Sequence, residues 1–100
     1  MVYGWFEDMT AGDADTIGEY LVDEGEMVAF ARKWDPFPFH IDKAAAEKSI
    51  HGGLIASGEY SMAVKQILLH MKGIPPGVMA SMGYDDLRYL KPVRPGDRIC

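Results

Sequence analysis

The chain has 100 residues, 48% of them hydrophobic and 25% charged, and a formal net charge of −5. This is too apolar for a disordered segment, no run nears the ~20 apolar residues that span a bilayer, and the acidic balance argues against a general nucleic-acid binder, so neither nucleic acid nor membrane is an expected partner. The single cysteine, Cys100, excludes an internal disulfide and a cysteine-based metal site, and MVYGWFEDMT lacks a signal-peptide pattern, which points to a reducing, cytoplasmic setting.

In chain order, residues 1–16 read as an irregular arm, with Trp5 and Phe6 as candidate anchors and turns at Gly12, Asp13 and Asp15. Residues 17–23 suit a strand with Tyr20 and Val22 on one face. Asp23 then caps a helix, with Glu26 placed to complete a capping box. Met27, Phe30, Ala31 and Trp34 form its apolar stripe. Residues 35–41, DPFPFHI, are expected to be non-helical because Pro36 and Pro38 remove donors and fix φ. Asp42 caps a short helix, KAAAEK. After a break at Ser49–Gly53, the longest helix is predicted over Leu54–Lys72, apolar on most sides and hence largely buried, with Gly73 as its C-cap. Residues 78–90 read as a strand bulged near Gly83. Residues 91–97 form a turn, and Arg98–Cys100 opens a further strand.

This inventory leaves a long apolar helix with too little sheet to cover it. A single domain over 1–100 is expected, incomplete at its C-terminus: either the chain is a fragment or a partner completes the sheet. Charge is uneven. Residues 1–26 carry eight acids and no Lys or Arg, and the other 74 carry seven acids and ten bases. Arg88, Lys91, Arg94 and Arg98 form either a solvated face or a site near a phosphate-bearing ligand.

Two constellations can carry chemistry. Asp35 and His40 lie five residues apart on a proline-stiffened loop among Trp34, Phe37 and Phe39, an arrangement suited to exchanging a proton with water near neutral pH. The alternative is a capping Asp beside a satisfied, half-buried His. His51-Gly52-Gly53 precedes the long helix. Glycines there let a ligand oxygen reach backbone N–H groups, as an oxyanion site requires, although a plain tight turn has the same composition. His51 reads equally as a packing residue or a participant. Met27, Met62, Met71, Met79 and Met82 read as adaptable core, and His70 as a helix-end residue. His40 and His51 have no metal-ligand spacing, so neither metal nor cofactor is expected.

Together these residues resemble the MaoC-like dehydratases, which include the (R)-specific enoyl-CoA hydratases. The resemblance rests on Asp35, Pro38, His40 and Ala46, on the stretch Phe39–Gly58, and on the landmarks around Trp5, Tyr84–Arg88 and Lys91–Asp97. It implies an α+β hotdog fold, an antiparallel sheet wrapped around a long central helix, of which residues 1–100 would be the N-terminal two-thirds. It implies reversible water addition to a trans-2-enoyl-CoA, giving a 3-hydroxyacyl-CoA. The family's catalytic Asp and His fall on Asp35 and His40, and its thioester-binding glycine amide falls on Gly52. The substrate contacts expected alongside are Gly53, Phe37, Arg88 and Arg94. An acyl-CoA substrate and a homodimer are the implied partners. Phe37 departs from the family's usual polar residue, and His51 stands where an aromatic is common. A hotdog acyl-CoA thioesterase and a non-catalytic acyl-binding module are the competing readings.

Overall fold

The computed structural model describes residues 5–74 and 77–100. The arm begins with a 3-10 turn at Phe6–Asp8. Trp5 is exposed rather than buried as an anchor, while the Phe6 side chain lies outside the described residues. Strand β1 (Tyr20–Leu21) follows, with Val22 buried and Leu21 exposed, as the alternation predicts. Helix α1 spans Glu24–Trp34, and Asp23 caps it by accepting the Glu26 N–H at 2.9 Å. The capping box is not closed by the Glu26 carboxylate, which accepts instead from the hydroxyls of Tyr20 and Tyr60, each at 2.7 Å. Met27 and Ala31 are buried, but Trp34 is 64% exposed, with the Lys33 ammonium over its ring. The apolar stripe therefore ends a turn earlier than its spacing suggests.

Residues 35–41 are not wholly non-helical. Pro38–Ile41 forms a short helix, α2, with the proline at its start, where its missing N–H would have had no intrahelical partner. Asp42 ends α2 and caps α3 (Lys43–Lys48) by accepting from the N–H groups of Ala44 and Ala45.

The long helix α4 is Gly58–Lys72, not Leu54–Lys72. Leu54, Ile55, Ala56 and Ser57 are buried but irregular, tied laterally by Ile55 N–H to Phe39 O (3.3 Å) and Ala56 N–H to Val93 O (2.8 Å). Apolar composition could not tell a buried extended run from a helical one. Nor is α4 largely buried: Tyr60, Val64 and Leu68 form one inward stripe, while Ile67 and Met71 are exposed. Gly73 closes it with φ +113° and an N–H to Leu69 O.

Residues 78–90 form no strand and are exposed throughout. Alternating polarity permits a strand, but a ladder needs a neighbour, and none of the described residues supplies one here. Strand β2 (Arg98–Ile99) pairs antiparallel with β1, Tyr20 opposite Ile99 and Leu21 opposite Arg98. Val22 extends the contact with bonds to Asp97 O and from Gly96 N–H. The core is one cluster joining Val22, Met27, Ala46, Leu54, Ala56, Tyr60, Val64 and Leu68. Among the described residues no helix is long and apolar enough to cross a membrane.

Candidate active site

Asp35 is the residue that ends α1, and His40 sits inside α2, so the hinge between two helices brings the pair together. The His40 Nε2 lies 3.5 Å from Asp35 Oδ2. Its other nitrogen, Nδ1, lies 2.7 Å from Ile55 O. A carbonyl can only accept, so Nδ1 carries the hydrogen, and in the neutral ring Nε2 presents its lone pair to the carboxylate. His40 is buried, and the rings of Phe37 and Phe39 meet its imidazole edge-on at 6.0 and 4.5 Å between centroids. Trp34 has turned to solvent and takes no part.

Ser57, the N-cap of α4, was not singled out from the sequence. Its hydroxyl donates to Asp35 Oδ2 at 2.7 Å and accepts the Glu59 N–H at 3.2 Å. The available signal was a small polar residue just before a helix, which marks a cap but not its second bond.

His40 opens on a cavity of about 300 Å³, also lined by His51, Ile55, Gly58, Tyr89 and Lys91. That is enough for a small organic group. His51 packs against Phe39 and shares this cavity with His40. Gly52 does not: it lines a separate recess with Gly53, Arg94, Glu24 and Glu47. Gly52 has φ +69°, and its N–H donates to Ser49 O at 3.1 Å. Arg94 braces this turn by donating to His51 O at 2.6 Å. Phe37 is exposed and stacks on Phe39. The four clustered bases do not converge: Arg88 pairs with Asp86 and Arg98 with Glu19, while Lys91 lines the His40 cavity. Among the described residues no group of three or more His, Cys, Asp and Glu side chains could hold a metal ion.

The chain is a small α+β fold with a short antiparallel sheet, and its structural neighbours are MaoC-like hotdog proteins. The chain belongs to that family: residues 6–100 match the MaoC like domain. It is 34% identical over 96 residues to Protein MaoC of Klebsiella aerogenes, covering 95% of this chain and 28% of that protein. It is 27% identical over 94 residues to the uncharacterized protein YdeM of Bacillus subtilis (strain 168), covering 93% of this chain and 67% of that one. The crystal structure of the MaoC-like dehydratase from Rhodospirillum rubrum matches with a TM-score of 0.81 at 38% identity, over 94% of this chain and 64% of that chain. The monoamine oxidase regulatory protein from Archaeoglobus fulgius matches with a TM-score of 0.79 at 29% identity, over 94% and 65% respectively. The chain thus spans just over a quarter of one curated relative and about two-thirds of the other three proteins.

Proposed function

We propose that this chain carries out reversible hydration of acyl thioesters, adding water to a trans-2-enoyl-CoA to give a 3-hydroxyacyl-CoA. The observation that supports it best is the 3.5 Å approach of His40 Nε2 to Asp35 Oδ2 beside a cavity of acyl size. A water molecule donating to both groups presents its oxygen to C3. As the C3–O bond forms, one water O–H bond breaks and its proton passes to the pair. The C2=C3 electrons move towards the thioester carbonyl, and C2 then takes a proton from His40 Nε2. The reverse sequence is dehydration.

Gly52 N–H is the donor assigned to the developing enolate oxygen. In this structure its hydrogen faces Ser49 O and it lines a recess separate from the His40 cavity, so this role requires the glycine turn to re-orient when substrate binds. Gly53, Phe37, Arg88 and Arg94 are the accompanying substrate contacts, of which Arg94 stands beside the glycine turn. A homodimer with its sheet wrapped around α4 completes the reading, supported by the exposed Ile67 and Met71 on that helix.

The test follows the loss of enoyl-thioester ultraviolet absorbance with the full chain and a short trans-2-enoyl-CoA. Asp35→Asn and His40→Ala should each lower kcat by about 10²–10⁴-fold. Unchanged rates in both variants refute the assignment. Release of free thiol with the double bond intact would select a thioesterase, and calorimetric binding without turnover would select an acyl-binding module.

A further inference from the structure

We infer that Ser57 is a positioning residue for Asp35, so that the buried run Leu54–Ser57 sets both members of the acid–imidazole pair; the inference rests on the hydratase reading above. Ser57 is fully buried, at 0% exposure. A hydroxyl in such a place must be hydrogen-bonded to be tolerated. It has one hydrogen to give, and that hydrogen goes to Asp35 Oδ2 rather than to a backbone carbonyl.

Capping alone does not account for this residue. An N-cap needs only an acceptor for an N–H of the first turn, and Asp serves as well as Ser. An Asp here would cap α4 but set a second carboxylate against Asp35. A hydroxyl accepts from Glu59 N–H with its oxygen and donates to Asp35 with its proton. The donation has work to do, because the Asp35 side chain is 27% exposed and could otherwise turn to solvent. The oxygen that Ser57 holds is the one facing His40 Nε2.

Two residues earlier, Ile55 O holds His40 Nδ1. The run is itself fixed by its bonds to Phe39 O and Val93 O. The pair is carried by the hinge between α1 and α2, but its relative geometry is set from this separate support.

Steady-state hydration kinetics of the full chain, with circular dichroism as the check on folding, test the assignment. Ser57→Gly removes the hydroxyl while keeping a residue tolerated at helix N-caps. It should lower kcat by about 10–100-fold, the effect of one lost hydrogen bond to a charged group, with KM changed less than about twofold. Ser57→Thr, which keeps the hydroxyl, should restore most of the rate. Wild-type kcat in Ser57→Gly, a loss confined to KM, or a Thr variant as slow as the Gly variant would each overturn it. Asp35→Asn and His40→Ala are run alongside. If they hydrate at the wild-type rate, the hydratase reading fails; if they are inactive while Ser57→Gly is unimpaired, the Ser57 assignment alone fails.

Discussion

Gly58 has no room for a side chain. A Cβ there would lie 2.5 Å from the Tyr89 ring, which walls the cavity beside His40. Tyr89 is exposed, so its ring can swing outward rather than strain the core. Gly58→Ala should therefore leave thermal stability unchanged or raise it by up to about 1 kcal/mol through helix propensity. The displaced ring opens the cavity, and KM for the enoyl thioester should rise. Tyr89→Ala should raise KM similarly, and the double variant should be no worse than either single one; additive losses would show two separate contacts. At Asp35 and His40 the sequence was informative about proximity, because five positions braced by Pro36 and Pro38 keep the two side chains close; that residues 38–41 coil into a helix was not legible. Ser57 was invisible because its partner lies 22 residues away, a contact no local pattern encodes. Gly52 was recognisable as a turn glycine, but the direction of its N–H was not.

Local chemistry made two helices predictable: Asp23 and Asp42 both cap where expected. It misjudged α2 because a proline that breaks a helix interior also starts a helix well. It misjudged the start of α4 because Leu54–Ala56 are apolar in either conformation. The link from β1 through α1 to α4 was also hidden. There the Glu26 carboxylate accepts from both Tyr20 and Tyr60. Burial first, and then that carboxylate, pushes the Tyr60 phenol well above its ordinary 10.0. The bond to Glu26 is the main reason the Tyr20 phenol is raised. A phenol raised in the folded state stabilises fully below its unfolded value and loses that contribution as pH climbs through the folded one. Absorbance titration should therefore show these two tyrosines ionising late, together with alkaline unfolding above about pH 10. Glu26→Ala strands the buried Tyr60 hydroxyl and should cost about 1–3 kcal/mol in denaturant unfolding. Early tyrosinate formation in the wild type would contradict this.

The molecule is elongated, 50 × 25 × 21 Å with a radius of gyration of 16.0 Å, against about 13 Å for a compact chain of this length. The 78–90 segment is exposed throughout, and no residue within it announces that it will stay out of a sheet. The N-terminal arm is tied to the end of α4 by Lys72, whose ammonium meets Asp15 Oδ2 at 2.6 Å and Thr16 O at 3.0 Å. That bond is the main reason the Asp15 carboxyl is lowered to about 2. A depressed carboxyl stabilises above its unfolded value and loses that effect as pH falls through the folded one. Denaturation midpoints should accordingly drop between about pH 4 and pH 2, and Asp15→Asn should flatten that slope; an identical slope in the variant would dismiss the tether. The run from Leu54 to Ser57 also constrains how this chain can diverge. Its two anchors, a main-chain oxygen and a hydroxyl, sit a fixed two positions apart. Gaining or losing one residue between them would swing one anchor out of reach while leaving Asp35 and His40 spelled as before. A change of length is therefore expected to be excluded from that short rail.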